Sequence, residues 1–247
     1  MPVTTTPQLY TARLASGRAA VMDTRTGRGH WQHLNPTAAL LWHRVTEGTR
    51  PERAAEDLTA TFIREGADPA VVRADLNTLV GQLRELGLLS GPAAPAPDPA
   101  RIQIRPALPP DEPLGAADRA AGLVALAAAL LLLRCAPIRT SIAAARLVAR
   151  LPLHPADPER ADHLFAAVRR AARAWPGRAA CLEESLACYL AAALRGRGVT
   201  WAIGARTAPA GAHAWNETSG TVIGQEPGDR LWPYAPALRI RHTGHPE

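Results

Sequence analysis

The chain has 247 residues, of which 47% are hydrophobic, and its formal net charge is +6. This length and composition allow two modest packed domains and exclude a disordered protein. All the basic residues are arginines, and a chain rich in arginine, alanine and proline is typical of a GC-rich genome. No run of arginines is interleaved with aromatic residues, so the charge does not indicate a nucleic-acid footprint.

Three widely spaced cysteines exclude a disulfide framework and favour the reducing cytoplasm. The first residues lack the apolar region of a signal peptide, so we expect none. The longest apolar run, residues 120–133, lies between Arg119 and Arg134. It is shorter than the about 20 residues that a spanning helix needs. We therefore expect a buried helix and no stable membrane insertion.

The segment "GPAAPAPDPARIQIRPALPPDEP", residues 91–113, is rich in proline. Such a segment favours an extended, semi-rigid linker that joins no helix. It predicts an N-terminal domain over residues 1–90, a linker over 91–113 and a C-terminal domain over 114–247.

Alternating stretches followed by helical ones predict the plan of the first domain. "QLYTARL" and "RAAVMDTRTGRGHWQHL" indicate strands, the last two joined by a turn at Thr26-Gly27. Asn35 and Pro36 start a first helix, and Thr49 is the expected cap of a second. A third helix carries apolar residues at spacings of three and four and ends near Gly87: Val72, Leu76, Leu79, Leu83 and Leu86. A small sheet followed by three helices is a winged-helix-like plan.

The motifs "LNPTAALLWHRVTEG" and "LRELGLL", with an acidic helix between them, resemble the PqqD-like family. Members of that family bind leader peptides of ribosomally made natural products, and the resemblance covers about residues 8–90. It implies that the leader adds a strand to the sheet edge, where backbone hydrogen bonds supply affinity and side-chain pockets supply selectivity. The implied contacts are His30, Trp31 and Gln32 at the edge, and Leu76, Leu79 and Leu83 on the third helix. The alternative is that Trp31 and these leucines belong to the core.

A winged-helix plan also suits a DNA-binding regulator, which is the first rival interpretation. A DNA-reading helix needs basic side chains on its exposed face. The third helix offers Arg73 and Arg84 against Asp75 and Glu85, so its charges nearly cancel. We therefore expect no nucleic-acid partner.

The second domain places a cysteine at the start of a helix. "CLEESLACYLAAALRGRG" begins at Cys181 and is followed by the strand-like "VTWAIGART", "GAHAWNE" and "GTVIGQE". Backbone N–H groups at a helix start favour a thiolate, whereas Glu183 and Glu184 oppose it by charge repulsion. Cys181 therefore needs a base, and His213 is the best candidate. Cys135 and Cys188 are expected to be buried, and no Cys or His spacing predicts a metal site.

The order of a helix with Cys181, a strand, and a strand with His213 resembles the transglutaminase-like, papain-type cysteine-peptidase fold. More closely, "CLEESLACYLAAALRGRGV", "HAWNE" and "GTVIG" look like the leader peptidase of lasso-peptide biosynthesis, over about residues 115–240. The two halves together resemble the fused B protein of that pathway, an α+β protein. The resemblance implies leader cleavage by Cys181 and His213 without a cofactor or metal. It also implies two partners, the precursor peptide and an ATP-dependent macrolactam synthetase.

The third member of that family's triad is an aspartate, and this chain departs from the pattern. The matching position is Gln225, with Glu226 beside it. A glutamine can orient an imidazole by hydrogen bonding, whereas Glu226 would need a one-residue shift or a bulge. Glu217, on the same strand face as His213, and Asp229 are further options. The departure leaves a second rival, a precursor-binding scaffold with an impaired triad that presents the peptide to the synthetase.

Overall fold

The computed structural model describes residues 7–97, 103–109, 111–225 and 234–242. The N-terminal half contains β1 (Leu9–Arg13), β2 (Ala19–Asp23), β3 (His30–Leu34), α1 (Pro36–Thr46), α2 (Pro51–Arg64) and α3 (Pro69–Glu85). Strand β2 pairs antiparallel with both β1 and β3. The predicted winged-helix-like plan of a small sheet and three helices is confirmed.

The starts of these helices follow local chemistry, with one correction. Asn35 accepts a hydrogen bond from the Ala38 N–H, and Asp68 caps α3 in the same way. Thr49 is not the cap of α2, because Arg50 occupies that position and makes no side-chain cap bond. Pro51 is the first helical residue, and a proline favours an extended conformation in the residue before it.

The apolar stripe of α3 differs from the predicted one at its end. Leu76, Val80 and Leu83 are buried, Leu79 is partly buried, and Leu86 is exposed. The helix ends at Glu85. Leu86 therefore lies beyond the helical face that contacts the core.

The C-terminal half packs helices against an antiparallel-rich sheet, so the predicted α+β class is confirmed. The elements are β4 (Ala93–Ala94), β5 (Gln103–Pro106), α4 (Ala116–Cys135), α5 (Ile138–Val148), β6 (His154–Pro155), α6 (Pro158–Ala174), α7 (Cys181–Leu194), β7 (Arg197–Gly198), β8 (Thr200–Thr207), β9 (Ala210–Thr218), β10 (Thr221–Gln225) and β11 (Ala235–Ile240). One sheet has the strand order β11-β8-β9-β10-β5, and β4 joins the N-terminal sheet beside β1. Helix α7 contacts α4, α6, β8 and β9.

The proline-rich segment adds an outer strand to each of the two larger sheets. Strand β4 pairs parallel with β1, and β5 pairs parallel with β10. Arg105 of β5 also forms an ion pair with the buried Asp162 of α6, with 2.7 Å between Nε and Oδ2. Proline is tolerated on outer strands because no further strand needs its missing N–H. The described parts of this segment are therefore tied to both halves, and the linker limits 91–113 remain a prediction.

Helix α4 is long and apolar enough to cross a membrane by length and composition. Its inner side packs against α6 and α7, with Ala125, Leu126 and Ala129 in the core. The other side of α4 is exposed, with Leu123, Val124 and Leu131 each more than half accessible. The prediction of a buried helix is therefore confirmed for one side of α4 only.

The two halves share one core. The face of the N-terminal sheet that carries Tyr10, Ala20 and Met22 packs into the same apolar cluster as Ile138 and Ile142 of α5. Strands β1 and β2 both contact β11. The opposite face of that sheet packs against α1, α2 and α3 in a separate cluster. The N-terminal sheet is thus covered on both sides.

Polar contacts cross the same boundary. The Arg146 guanidinium donates to the Tyr10 hydroxyl at 2.9 Å and lies over its ring. The Ile138 N–H donates to the Gly27 carbonyl at 2.8 Å. Arg28 forms an ion pair with Glu183 at 2.8 Å. The last two contacts fix the β2–β3 turn against the C-terminal half, and the first ties β1 to α5.

A cluster of ion pairs centred on Asp118 joins helices of the C-terminal half. Asp118 of α4 accepts two 2.6 Å hydrogen bonds from Arg160 of α6 and one of 2.9 Å from Arg195 after α7. The hydrogen bonds from Arg160, followed by those from Arg195, hold the pKa of Asp118 below its usual range. Asp118 therefore contributes stability in its ionised form.

We expect Asp118→Asn to lower the free energy of unfolding at neutral pH by about 2 kcal/mol, between the values for surface and buried ion pairs. The contribution of a carboxyl with a depressed pKa is present above its unfolded pKa and is lost as pH falls through the folded pKa. Urea unfolding at neutral and acid pH measures the difference, with exposed Asp75→Asn as the control. A loss of unfolding free energy in Asp118→Asn that is the same in acid as at neutral pH would contradict this role.

Candidate active site

The candidate nucleophile lies at the start of a helix, as the sequence predicts. Cys181 is the first residue of α7, is partly buried, and follows Ala180 in an extended conformation. The backbone N–H groups of Leu182 and Ala214 lie close enough to the Cys181 thiol to lower its pKa. Ala214 lies on β9 directly after His213, and α7 packs against β9. The thiol therefore lies beside the strand that carries the candidate base.

The environment of the Cys181 thiol favours its neutral form. Burial raises the pKa of Cys181 most, the amides of Ala214 and Leu182 lower it, and the charges of Glu183 and Glu184 raise it again. The net effect is a pKa above the ordinary value. A separate base is consequently needed to generate the nucleophilic thiolate.

The candidate base lies in a row of side chains along one face of β9. The His213 ring stacks with that of Trp215 at 6.1 Å between centroids and lies 5.2 Å from the Tyr234 ring. The Trp215 indole donates to Glu217 Oε1 at 2.7 Å, and Glu217 pairs with Arg239 at 3.2 Å. Glu217 therefore acts on the orientation of the indole that stacks with His213.

The end of β10 contains a bulge, which is one of the two conditions for a role of Glu226 as the third triad member. Gly224 has a φ of +68°, and the β10–β5 register shifts between Val222 and Gln225. A Cβ at Gly224 would lie 2.2 Å from the Phe165 ring, so both the conformation and the space require glycine. The register after Gly224 thus differs from that of a regular strand.

Gln225 is buried at the end of β10. Its side-chain amide donates to the Ile223 carbonyl at 3.2 Å, and its backbone carbonyl accepts from the Ala107 N–H. Within the described ranges the Gln225 Oε1 has no hydrogen-bond donor. Glu226 and Asp229 lie outside the described residues. The choice of the residue that orients His213 stays a prediction.

The other cysteines occupy different surroundings. Cys188 is fully buried in α7, and burial raises the pKa of its thiol far above the ordinary value. Cys135 is exposed, contrary to the prediction, because it ends α4 beyond the turn in which Leu130 and Leu133 face the core. Across the ranges that the structure describes, no group of three His, Cys, Asp or Glu side chains is arranged for a metal ion.

The candidate leader-binding edge lies between the two halves. Strand β3 is an outer strand of its sheet, with His30 exposed and Gln32 half-buried. Trp31 packs against the core cluster that both halves share. Leu76 and Leu83 are buried in the other cluster and offer no exposed surface, whereas Leu79 is partly buried. The alternative of core packing therefore describes Leu76 and Leu83 better than ligand contact.

The start of β3 is connected to the start of α7. Arg28 lies two residues before β3, and its partner Glu183 lies two residues after Cys181. Glu183 also accepts a 3.1 Å hydrogen bond from the Ala180 N–H. Sequence reasoning missed this connection. A glutamate at the third helical position is a capping signal, but the sequence carries no sign of its second partner.

Comparison with known families agrees with this architecture. Residues 18–89 match the model of coenzyme PQQ synthesis protein D (PqqD), and residues 122–239 match that of the transglutaminase-like superfamily. The chain joins a PqqD domain to a transglutaminase-like domain. Searches of curated proteins and of solved structures gave no match. The transglutaminase-like match includes Cys181, His213 and Gln225, and the PqqD match includes the whole of β3.

We expect the thiols of the transglutaminase-like domain to react unequally with iodoacetamide in a Cys135→Ser background. Cys181 alkylation should be slow at neutral pH and keep rising through the alkaline range in which an ordinary thiol is already ionised, because its pKa is raised. Buried Cys188 should stay unlabelled until the protein unfolds. Peptide mapping by mass spectrometry measures both. A Cys181 rate that already reaches its plateau in acid would contradict the neutral resting thiol.

Proposed function

We propose that this protein is a leader peptidase of lasso-peptide biosynthesis that acts in the cytoplasm. The PqqD domain holds the leader of a ribosomal precursor peptide, and the transglutaminase-like domain cuts it from the core. One observation carries the proposal. The outer strand β3 and the candidate nucleophile Cys181 lie at the two ends of a short connection through Arg28 and Glu183. A peptide on β3 thus has a short path to the thiol.

The leader binds by strand addition along β3. The outer edge of β3, which pairs with no further strand among the described residues, supplies backbone hydrogen bonds. Alternate leader side chains point to opposite faces of the sheet. One set faces the side of Trp31 and the transglutaminase-like domain, and the other faces the side of the PqqD helices. Most exposed residues of α3, including Arg73 and Asn77, are polar, whereas Val71 is exposed and apolar. Contacts there are therefore mainly hydrogen bonds, with apolar packing near Val71.

The reaction is an acyl transfer to water. His213 takes the proton of Cys181, and the thiolate attacks the carbonyl carbon at the end of the leader. Backbone N–H groups at the start of α7, including that of Cys181, stabilise the oxyanion. His213 then protonates the departing amine of the core peptide, and water hydrolyses the thioester. The freed amine is the group that a partner, an ATP-dependent macrolactam synthetase, would use to close the ring. The steps use no cofactor.

The test incubates the purified chain with the lasso precursor peptide encoded nearest to its gene and follows leader release by mass spectrometry. Cys181→Ala and His213→Ala should each reduce cleavage by at least about a thousandfold, because they remove the nucleophile and the base. Cys135→Ala, which changes an exposed thiol, should leave the rate unchanged. Cleavage that survives Cys181→Ala would overturn the mechanism.

Gln225→Ala and Glu226→Ala separate the two candidates for the third position. Loss of the residue that orients His213 should lower kcat with little change in KM, because it acts on the imidazole and not on leader binding. The other substitution should leave kcat close to that of the unchanged protein. Equal and small effects of both would remove Gln225 and Glu226 from the mechanism.

A second candidate function is a precursor-binding scaffold without cleavage. Two observations favour it. The pKa of Cys181 is raised, and the side-chain amide of Gln225 donates a hydrogen bond to the Ile223 carbonyl. Leader binding measured by calorimetry, together with no cleavage in the presence of the synthetase, would support this candidate. Cleavage by the unchanged chain would exclude it.

A further inference from the structure

The most informative contact outside the proposed catalytic residues is the ion pair between the two domains at Glu183. The Glu183 side chain is 3% exposed, yet the Arg28 side chain that pairs with it is 52% exposed. Glu183 Oε1 lies 2.8 Å from Arg28 Nη1, and Glu183 Oε2 accepts from the Ala180 N–H at 3.1 Å. Both carboxylate oxygens are thus engaged, one by each domain.

The bond to Ala180 fixes the turn that carries the thiol. Ala180 has no side chain that could cap α7, so the Glu183 carboxylate is the side-chain group that holds the chain immediately before Cys181. A bond from the backbone N–H before a helix to a glutamate at its third position helps to set the direction in which the chain enters the helix. Any rotation of the Glu183 side chain would therefore change the position of the thiol.

The two carboxylates beside Cys181 have partners of different origin. Glu184 pairs with Arg169 of α6 at 3.3 Å, within the transglutaminase-like domain. Glu183 pairs with Arg28 of the PqqD domain. A buried carboxylate that loses its partner is strongly unfavourable, and here it would also repel the thiolate more strongly. The chemistry of the second domain thus depends on a side chain of the first.

The loop that carries Arg28 is held at both ends. The Gly27 carbonyl accepts a hydrogen bond from the Ile138 N–H at 2.8 Å, and β3 begins at His30. A peptide strand added to β3 would therefore lie beside a strand whose preceding loop already contacts α7 through Arg28.

We propose that Arg28 is a positioning residue of the Cys181 site, supplied by the PqqD domain, which holds Glu183 in the orientation that places the nucleophile. The inference deepens the proposed peptidase function and rests on it only for its catalytic consequence. The transglutaminase-like domain has its cysteine site correctly arranged only while the PqqD domain is docked on it.

The test uses the full chain with Cys135→Ser, and the variants Arg28→Ala, Arg28→Lys and Glu183→Gln alone and combined. The first readout is the pH profile of Cys181 alkylation by iodoacetamide, which needs no peptide. Arg134 lines one cavity together with Arg28 and donates to the Arg178 carbonyl, so both arginines lie near the start of α7. The charged and titratable groups that bear on this profile are therefore Glu183, Glu184, His213, Arg169, Arg28, Arg134 and Arg178.

Arg28→Ala should move the alkylation profile to higher pH, because it removes the positive charge that offsets the Glu183 carboxylate. Arg28→Lys keeps the charge and should restore most of the profile. Adding Glu183→Gln to Arg28→Ala should also restore it, because no unpaired carboxylate remains, which gives a double-mutant cycle with a large coupling. Arg139→Ala, an exposed arginine beside Ile138 at the same domain boundary, is the matched control and should leave the profile unchanged.

The second readout is cleavage of the precursor peptide. Arg28→Ala should lower kcat about tenfold with little change in KM, because misplacement of a reacting group affects the chemical step. If the unchanged chain cleaves no precursor, the peptidase function fails while the alkylation profiles still decide the role of Arg28. If Arg28→Ala and Arg139→Ala give the same alkylation profile, the positioning role is overturned.

Discussion

The packing of the N-terminal sheet on the C-terminal half is the constraint on which the rest of the structure depends. Tyr10 and Met22 lie in one core with residues of α5, α7 and β11. Separation of the halves would expose this apolar face to water at a cost proportional to its area. The chain therefore has a fixed relation between the outer strand β3 and the helix that begins at Cys181, although a proline-rich segment joins the halves.

Under the proposed function, this fixed relation gives the two domains a common peptide site. A recognition strand on a flexible tether would only raise the local concentration of a peptide near the thiol. Docked through Ile138 and Arg28, the same strand would, under the proposed function, also set where the peptide leaves the PqqD domain. In that proposal, Cys181, the stacked His213 and the Glu183 cap would belong to a site next to the surface that captures the peptide.

Most local structure could be predicted from the sequence, because prolines, caps and apolar alternation act over a few residues. Cys181 at a helix start and His213 on a strand followed from such patterns. The error at Thr49 arose because Pro51 fixed the start of α2 one residue later. Leu76 and Leu83 form an apolar stripe, and periodicity alone does not say whether such a stripe meets a ligand or the core. The pairing of Arg28 with Glu183 depends on how the halves dock, which no local pattern encodes.

Amide hydrogen exchange on the Cys181→Ala chain with its precursor peptide tests most directly whether the domains form one peptide site. The account predicts that the peptide slows exchange together in β3, residues 30–34, and around the start of α7 and β9. Protection at β3 depends on strand addition, and protection at α7 depends on the fixed docking of the halves. Protection confined to β3, with exchange at residues 177–183 unchanged, would contradict the account.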